Sequence, residues 1–367
     1  MLALLPVRSL RTGLLAAVFL AFALPAAYAQ TPDPTDQADQ AQGTDDVIKP
    51  VPVFTAGMGF ITTFQGGTPN LGPLINPVLI VPIGEKWLIE ARGDLESDLA
   101  PPPGSGDFTG NLQTNVDYFQ VDYIANKYLT VTAGRFLTPF GIYNERLYPI
   151  WIRDLQTDPL ILPLEGGEYG ASTGAMVRGG FDATSNVEIN YAAYYSANST
   201  VQNLASDRSF GFRSGLFFTR PRLEVGGSFQ HVLQDYRKNA FGFHLEWQPR
   251  ALPLDIRSEF ARSWLGSGYW IESAYKLSQV PVWQNGFRHV QVVARMQQFY
   301  TGPGWSEDLP WVNTNMFEFG VNYYFRDDVR FVSSYGRQFA PEGGNLNVWT
   351  LGLTYRFATP VGPGEMR

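Results

Sequence analysis

In residues 345–357 the greasy side chains fall on every second position. Trp349, Leu351, Leu353, Tyr355 and Phe357 form one row, begun by Asn347, while Thr350, Gly352, Thr354 and Arg356 fill the other. A period of two places the rows on opposite faces of an extended strand. A soluble sandwich also uses half-buried strands, but this apolar row carries aromatic rings at both ends and aliphatic side chains between them. That order suits a strand whose outer face meets hydrocarbon, with its rings at the two membrane–water boundaries.

The same pattern recurs along the chain from about Val51. Trp87, Ile89 and Ala91 oppose Glu90, Arg92 and Asp94; Phe119, Val121 and Tyr123 oppose Tyr118, Gln120 and Asp122. Val187, Ile189, Tyr191, Ala193 and Tyr195 oppose Glu188, Asn190 and Tyr194, and Phe241, Phe243, Leu245 and Trp247 oppose His244 and Glu246. Leu254, Ile256 and Phe260 oppose Asp255, Arg257 and Glu259; Phe317, Phe319, Val321, Tyr323 and Phe325 oppose Glu318 and Asn322. About sixteen strands result, with fourteen or eighteen left open by residues 74–82, where Pro77 and Pro82 interrupt a run that is apolar on both faces. In hydrocarbon every backbone polar group must be paired inside the protein, so the predicted fold is a closed, all-β, antiparallel transmembrane barrel.

The connections alternate in length. Gly84-Glu85, Ala125-Asn126-Lys127, Ala183-Thr184-Ser185, Thr219-Arg220-Pro221, Pro249-Arg250-Ala251 and Arg326-Asp327-Asp328 read as tight turns. Residues 65–73, 97–111, 137–170, 197–207 and 301–314 read as longer loops. Short periplasmic turns and long outer loops are the asymmetry of outer-membrane barrels, and on that assignment both termini lie in the periplasm. Two gaps break the rule: residues 279–287 are long where a turn is due, and Gly266-Ser267 is short where a loop is due.

The N-terminus agrees with an exported protein. Arg8 and Arg11 precede an apolar run, residues 14–24, followed by Pro25 and then Ala27-Tyr28-Ala29, the layout of a cleaved secretory signal over residues 1–29. Residues 30–50, rich in Asp, Thr, Gln and Pro, read as a disordered acidic periplasmic segment. The barrel is expected over 51–357, and residues 358–367, with Pro360, Gly362, Pro363 and Gly364, as a tail adding no strand. Mean hydropathy of −0.13 would pass for a soluble protein, yet alternating faces average to such a value in a barrel. The absence of Cys excludes disulfides and thiolate chemistry, and the three scattered histidines argue against a zinc cage. A net charge of −7, more negative still without Arg8 and Arg11, argues against nucleic acid as a partner. No cofactor is expected.

A lipid-facing Arg or Lys at mid-bilayer costs about 2–4 kcal/mol, so the charged rows are expected to face inward. The candidate pore lining comprises Glu90, Arg92, Asp94, Arg178, Arg213, Arg222, Glu224, Arg257, Glu259 and Arg295, with Lys276, Glu188, Glu246, Asp255, Glu272 and Glu318 on the same rows. So many unneutralised charges call for a wet lumen rather than a dry core. The third outer loop, residues 137–170, is long enough to be functional. Its aromatics and charges, among them Tyr143, Glu145, Arg146, Trp151, Arg153, Asp154, Asp158, Glu165 and Glu168, suit a segment folded into the barrel as a constriction. An ordinary surface loop or a subunit latch is the alternative.

Several stretches resemble one family. Ala133-Gly134-Arg135-Phe136-Leu137-Thr138-Pro139-Phe140-Gly141 is similar to the Gly-Arg-Phe-x-x-Pro-Phe-Gly segment of the phosphate-selective porin O and P family. Tyr269-Trp270-Ile271-Glu272-Ser273-Ala274-Tyr275 and residues 289–298 look like its late strands, and Asn322-Tyr323-Tyr324-Phe325-Arg326-Asp327-Asp328-Val329-Arg330 like its penultimate hairpin. The resemblance implies a sixteen-stranded, trimeric, passive channel in the bacterial outer membrane whose third loop folds inward. It departs in charge: anion-selective members carry an arginine ladder and a lysine-rich throat, whereas the lumen inferred here is mixed and slightly acidic.

The expected function is passive diffusion of small hydrophilic solutes or ions through a water-filled pore, with outer-membrane lipid and lipopolysaccharide as surroundings and a homotrimer as assembly. A selective channel for phosphate, other anions or sugar-like solutes is the second reading, and a barrel enzyme or adhesin the third. Gly170-Ala171-Ser172-Thr173-Gly174 fits a nucleophile-elbow pattern, but that motif needs a strand-turn-helix context. Ser273 and Lys276 project to opposite faces of one strand. No enzyme activity is expected.

Overall fold

The computed structural model describes residues 51–102, 107–164, 170–201, 204–234, 237–304, 306, 308–341 and 344–361. The expected signal, the acidic segment, Glu165, Glu168 and all but the first residues of the expected tail lie outside them.

Sixteen strands form a closed antiparallel barrel in which each pairs with its sequence neighbours and the last pairs with the first. They are β1 Val53–Gln65, β2 Thr68–Ile83, β3 Trp87–Ser97, β4 Leu112–Asn126, β5 Leu129–Leu137, β6 Ala171–Thr184, β7 Val187–Ser196 and β8 Ser209–Phe218, then β9 Leu223–Val232, β10 Asn239–Trp247, β11 Leu254–Arg262, β12 Gly266–Lys276, β13 Val290–Thr301, β14 Thr314–Arg326, β15 Val329–Ala340 and β16 Gly344–Pro360. Closure runs from Val53↔Pro360 to Gln65↔Val348, so no sheet edge is left unpaired.

The polarity is that of a soluble protein turned inside out. On β16, Leu353 keeps 49% of its surface exposed, whereas its neighbour Thr354 is fully buried. Phe241 and Phe243 on β10, and Phe317 and Phe319 on β14, are likewise exposed while His244 and Glu318 are buried. Rings cluster near the strand ends of the outer face, as in Phe54–Phe357 at 5.7 Å, Trp87–Tyr123 at 4.7 Å and Tyr335–Trp349 at 4.4 Å. No described helix is long and apolar enough to cross a membrane; the strands carry the apolar band.

Three boundaries differ from the sequence expectation. Residues 65–73 are not a long loop: Gly66 and Gly67 have φ of 59° and 88° and close a two-residue hairpin. That geometry needs positive φ at both central positions, which glycine supplies. β2 then starts at Thr68 and tolerates its prolines, with the ladder to β3 broken between Ile75↔Leu95 and Val78↔Arg92, at Pro77. The short gap assigned to Gly266-Ser267 is a turn over residues 263–265, held by Ser263 N–H to Gly266 O at 2.8 Å, and Gly266 already belongs to β12. Finally, β16 continues past Phe357 to Pro360, because β1 supplies partners as far as Val53. Pro360 sits at the end of the ladder, where its missing N–H costs nothing.

Candidate functional site in the barrel interior

The connection between β5 and β6, residues 138–170, is the longest between consecutive strands and leaves the barrel at the end opposite its first and last strand termini. Its neck is fastened locally: Thr138 N–H donates to Gly170 O at 3.2 Å, and Asn144 Nδ2 donates to the same oxygen at 2.6 Å. It contains a π-helical turn, Tyr143–Leu147, and a 3-10 turn, Leu162–Leu164.

Its backbone is held by barrel side chains from many strands. Glu259 of β11 accepts from the amides of Ile142 and Tyr143 and, at 3.0 Å, from the Trp270 indole. Arg213 of β8 donates to Gly141 O at 3.1 Å and pairs with Glu145. Asn322 of β14 donates to Asp154 O at 2.9 Å, Arg295 of β13 to Thr157 Oγ1 at 2.6 Å, and Arg330 of β15 to Ile150 O at 2.9 Å. The Ile150 amide in turn points to Asn76 of β2, at 3.4 Å.

Apolar contacts use the inner-facing glycines. A Cβ at Gly59 of β1 would fall inside the van der Waals shell of Ile150, one at Gly242 of β10 within 2.9 Å of the Phe140 ring, and one at Gly320 of β14 within 2.6 Å of Leu155. Each missing side chain is a seat for one residue of the loop. Phe140, Ile142, Tyr143, Leu147 and Ile161 join Trp270 and Phe299 in the largest buried apolar cluster.

Ion pairs account for most of the expected lining. Arg146 pairs with Glu224 through two bonds of 2.9 Å and with Glu246 at 3.4 Å. Arg257 meets Asp154 at 3.3 Å and also pairs with Asp255, and Arg295 meets Glu318 at 2.8 Å and Glu272 at 3.6 Å. Arg153 pairs with Asp158 at 3.0 Å and stacks on Tyr148 at 4.8 Å. On β3–β6 the charges pair across the wall itself: Arg92 with Asp117 at 2.8 Å, Arg178 with Asp122 at 3.2 Å and Glu90 at 3.7 Å, while Asp94 accepts from Asn76 at 2.7 Å. Most of these charges therefore have an oppositely charged partner rather than water alone, contrary to the sequence reading, while Asp94 has the neutral amide of Asn76. Arg178 keeps 35% of its side chain accessible and Glu90 21%, the solvated part of that wall.

Arg222 is misplaced by the sequence reading. It lies in the β8–β9 turn with φ of 54°, exposed, and reaches only Gln248 at 3.4 Å. The loop aromatics are also committed to docking. Tyr143 is buried and donates its hydroxyl to Asp158 at 3.0 Å, and burial with that neighbouring carboxylate raises its pKa well above the ordinary tyrosine value, so it stays a neutral donor. Trp151 lies between Arg330 at 5.2 Å and Arg356 at 4.8 Å. Arg330, Asn76 and Asn322 were missing from the expected site. Period-two parity along Arg330, Val332 and Ser334 against Phe331, Ser333 and Tyr335 carries the signal for the first.

Ser172, of the elbow-like motif, lies inside strand β6 and shares a 2.8 Å hydrogen bond with Thr138; no strand-turn-helix surrounds it. No group of His, Cys, Asp and Glu among the described residues could hold a metal ion.

A closed sixteen-stranded antiparallel barrel with an apolar exterior and a charged interior is the fold of the outer-membrane porins. Solved structures with this fold include OmpF of Salmonella typhi (10% identity over 83% of this chain and 97% of that one, TM-score 0.58). The anion-selective porin of Comamonas acidovorans is similar at 10% identity over 83% and 98%, TM-score 0.53, and OprB of Pseudomonas putida at 8% over 84% and 92%, TM-score 0.53. No family model matches the chain, and no curated protein sequence matches it.

Proposed function

We propose that this protein is an outer-membrane porin, a water-filled channel for passive diffusion of small hydrophilic solutes or ions. The observation that carries the reading is the inverted polarity of a closed barrel: exposed Leu353, Phe241 and Phe317 outside, paired charges inside. Such a surface is stable in a bilayer and not in water.

The third loop is read as folded inward and setting the size limit. Its partners support this, because they lie on β2, β8, β11, β13, β14 and β15, and a segment outside a closed barrel could not reach them all. The solute path then runs along the β3–β7 wall, past Arg178 and Glu90. Mixed charge there favours a general channel over a phosphate filter, so the likeness to the phosphate-selective porin O and P family is carried over for architecture and not for selectivity. A homotrimer within lipid and lipopolysaccharide belongs to the same reading.

Liposome swelling with sugars of increasing size tests it. Entry of small sugars with a sharp cut-off is expected, and removal of residues 142–164 should move the cut-off upward. Liposomes that stay impermeable to the smallest sugar would overturn the reading.

A further inference from the structure

The inner wall along the proposed solute path is unequal in charge. At its loop end a cavity of about 210 Å³ between the loop and β1–β3 is lined by Asp94, Glu96, Asp98 and Asp158, with Arg153 as the lone cation. Arg153 is already paired with Asp158 at 3.0 Å. Asp94 and Asp98 accept from the neutral amides of Asn76 and Asn70, at 2.7 and 3.1 Å. Glu96 has no cation within ion-pair distance among the described residues. Further along β3–β6, Arg92 is matched by Asp117, and Arg178 is shared by Asp122 and Glu90.

At the opposite end, beside the β6–β7 turn, Asp182 of β6 and Glu188 of β7 stand directly across from each other in the ladder. Both are exposed. Alternate residues share a face, so Asp182 points inward with Arg178, and Glu188 with Asn190. Glu188 Oε1 lies 3.5 Å from where a Cβ on Gly180 would stand, on that same inner row. Like charges directly opposite on a sheet are destabilising, and among the described residues no cation lies within ion-pair distance of either carboxylate. Of the neighbouring turn residues, Lys86 and Lys127 are partly offset by Glu85. Lys276, Arg330 and Arg356 lie on β12, β15 and β16, not on this wall. Every cation of the path is therefore matched, and carboxylates are left in surplus at both of its ends.

We propose that the channel passes cations, inorganic or small and basic, in preference to anions, with Glu96 and Asp98 gathering them at the loop end and Asp182 and Glu188 at the other. The inference rests on the porin reading and its β3–β7 path, and adds the class of solute. Fixed charge of one sign along a cleft with low-dielectric walls raises the local concentration of the opposite ion and repels its own kind. Only the surplus counts, since the field of an ion pair falls off faster than that of a lone charge.

Reversal potentials of the full mature chain in a planar bilayer, across a KCl gradient, test this. In a gradient of about twofold centred near about 0.1 M, K⁺ should permeate about threefold better than Cl⁻. Centred near about 1 M, the same gradient should give a ratio closer to one, as the Debye length drops from about 10 to about 3 Å. D182N/E188Q neutralises two exposed side chains at nearly constant size and should lower the ratio at low salt. E96Q/D98N should lower it independently from the loop end. A reversal potential of zero or of the chloride sign, or a ratio unchanged in these two variants, would overturn the cation preference while leaving the porin reading intact. Absence of any conducting step would instead overturn the porin reading itself.

Discussion

Glu259 shows how much a single side chain carries here. Its carboxylate accepts two loop amides and the Trp270 indole in a buried setting. Replacement by Ala would leave three donors short of this acceptor, at about 1–3 kcal/mol each. We predict that E259A lowers the unfolding midpoint in detergent micelles and red-shifts tryptophan emission as Trp270 becomes hydrated; unchanged emission would contradict the contact. Arg295 is the stronger case, because Glu318 and Glu272 both depend on it. R295A should cost about 3–5 kcal/mol, the range for a buried pair broken on one side. R295M/E272Q/E318L, which removes both dependent carboxylates, should recover much of that loss, and a triple mutant as unstable as R295A would refute the pairing. Neither partnership could be read from the sequence: parity sent Glu259, Arg295 and Glu318 to the inner face, but it contains no information on which loop atom each would meet 116 or 138 residues away.

Among elements, the strands were legible and the loop was not. Alternation in β3, β10, β14 and β16 is a local property with an unambiguous period, so faces and most ends followed from it. β2 was obscured by its prolines, since a strand that loses ladder donors looks like a loop until its neighbours are known. The Gly66-Gly67 turn is hidden in the same way, because Pro69 and Pro73 disguise the strand that follows it. Arg222 misled because its parity is right for the inner face, yet the chain turns there before the strand begins. The loop's docking depends on what is missing at Gly59, Gly242 and Gly320, and a glycine in a strand does not announce what will fill its space. G59V should push Ile150 off its seat, loosen the loop, and admit larger sugars in liposome swelling. The same size limit in G59V and wild type would mean that this seat does not hold the constriction.

For the whole molecule, closure is the decisive property. β1 and β16 pair over the full length of β1, so the chain must be nearly complete before its ends meet, and the folded barrel should resist dissociation by dodecyl sulfate until heated. Unheated samples that migrate as fully unfolded chain would argue against closure. Fold and polarity together leave a polar space inside an apolar shell, and in the function proposed above the loop narrows that space while the wall that holds Arg178 and Glu90 stays open to solvent. The most direct measurement is the conductance of a planar lipid bilayer exposed to the purified, heat-modifiable protein in concentrated KCl. Discrete, long-lived current steps that persist at low voltage are predicted, and G59V should enlarge each step. A protein that inserts and remains folded yet passes no current would contradict the account.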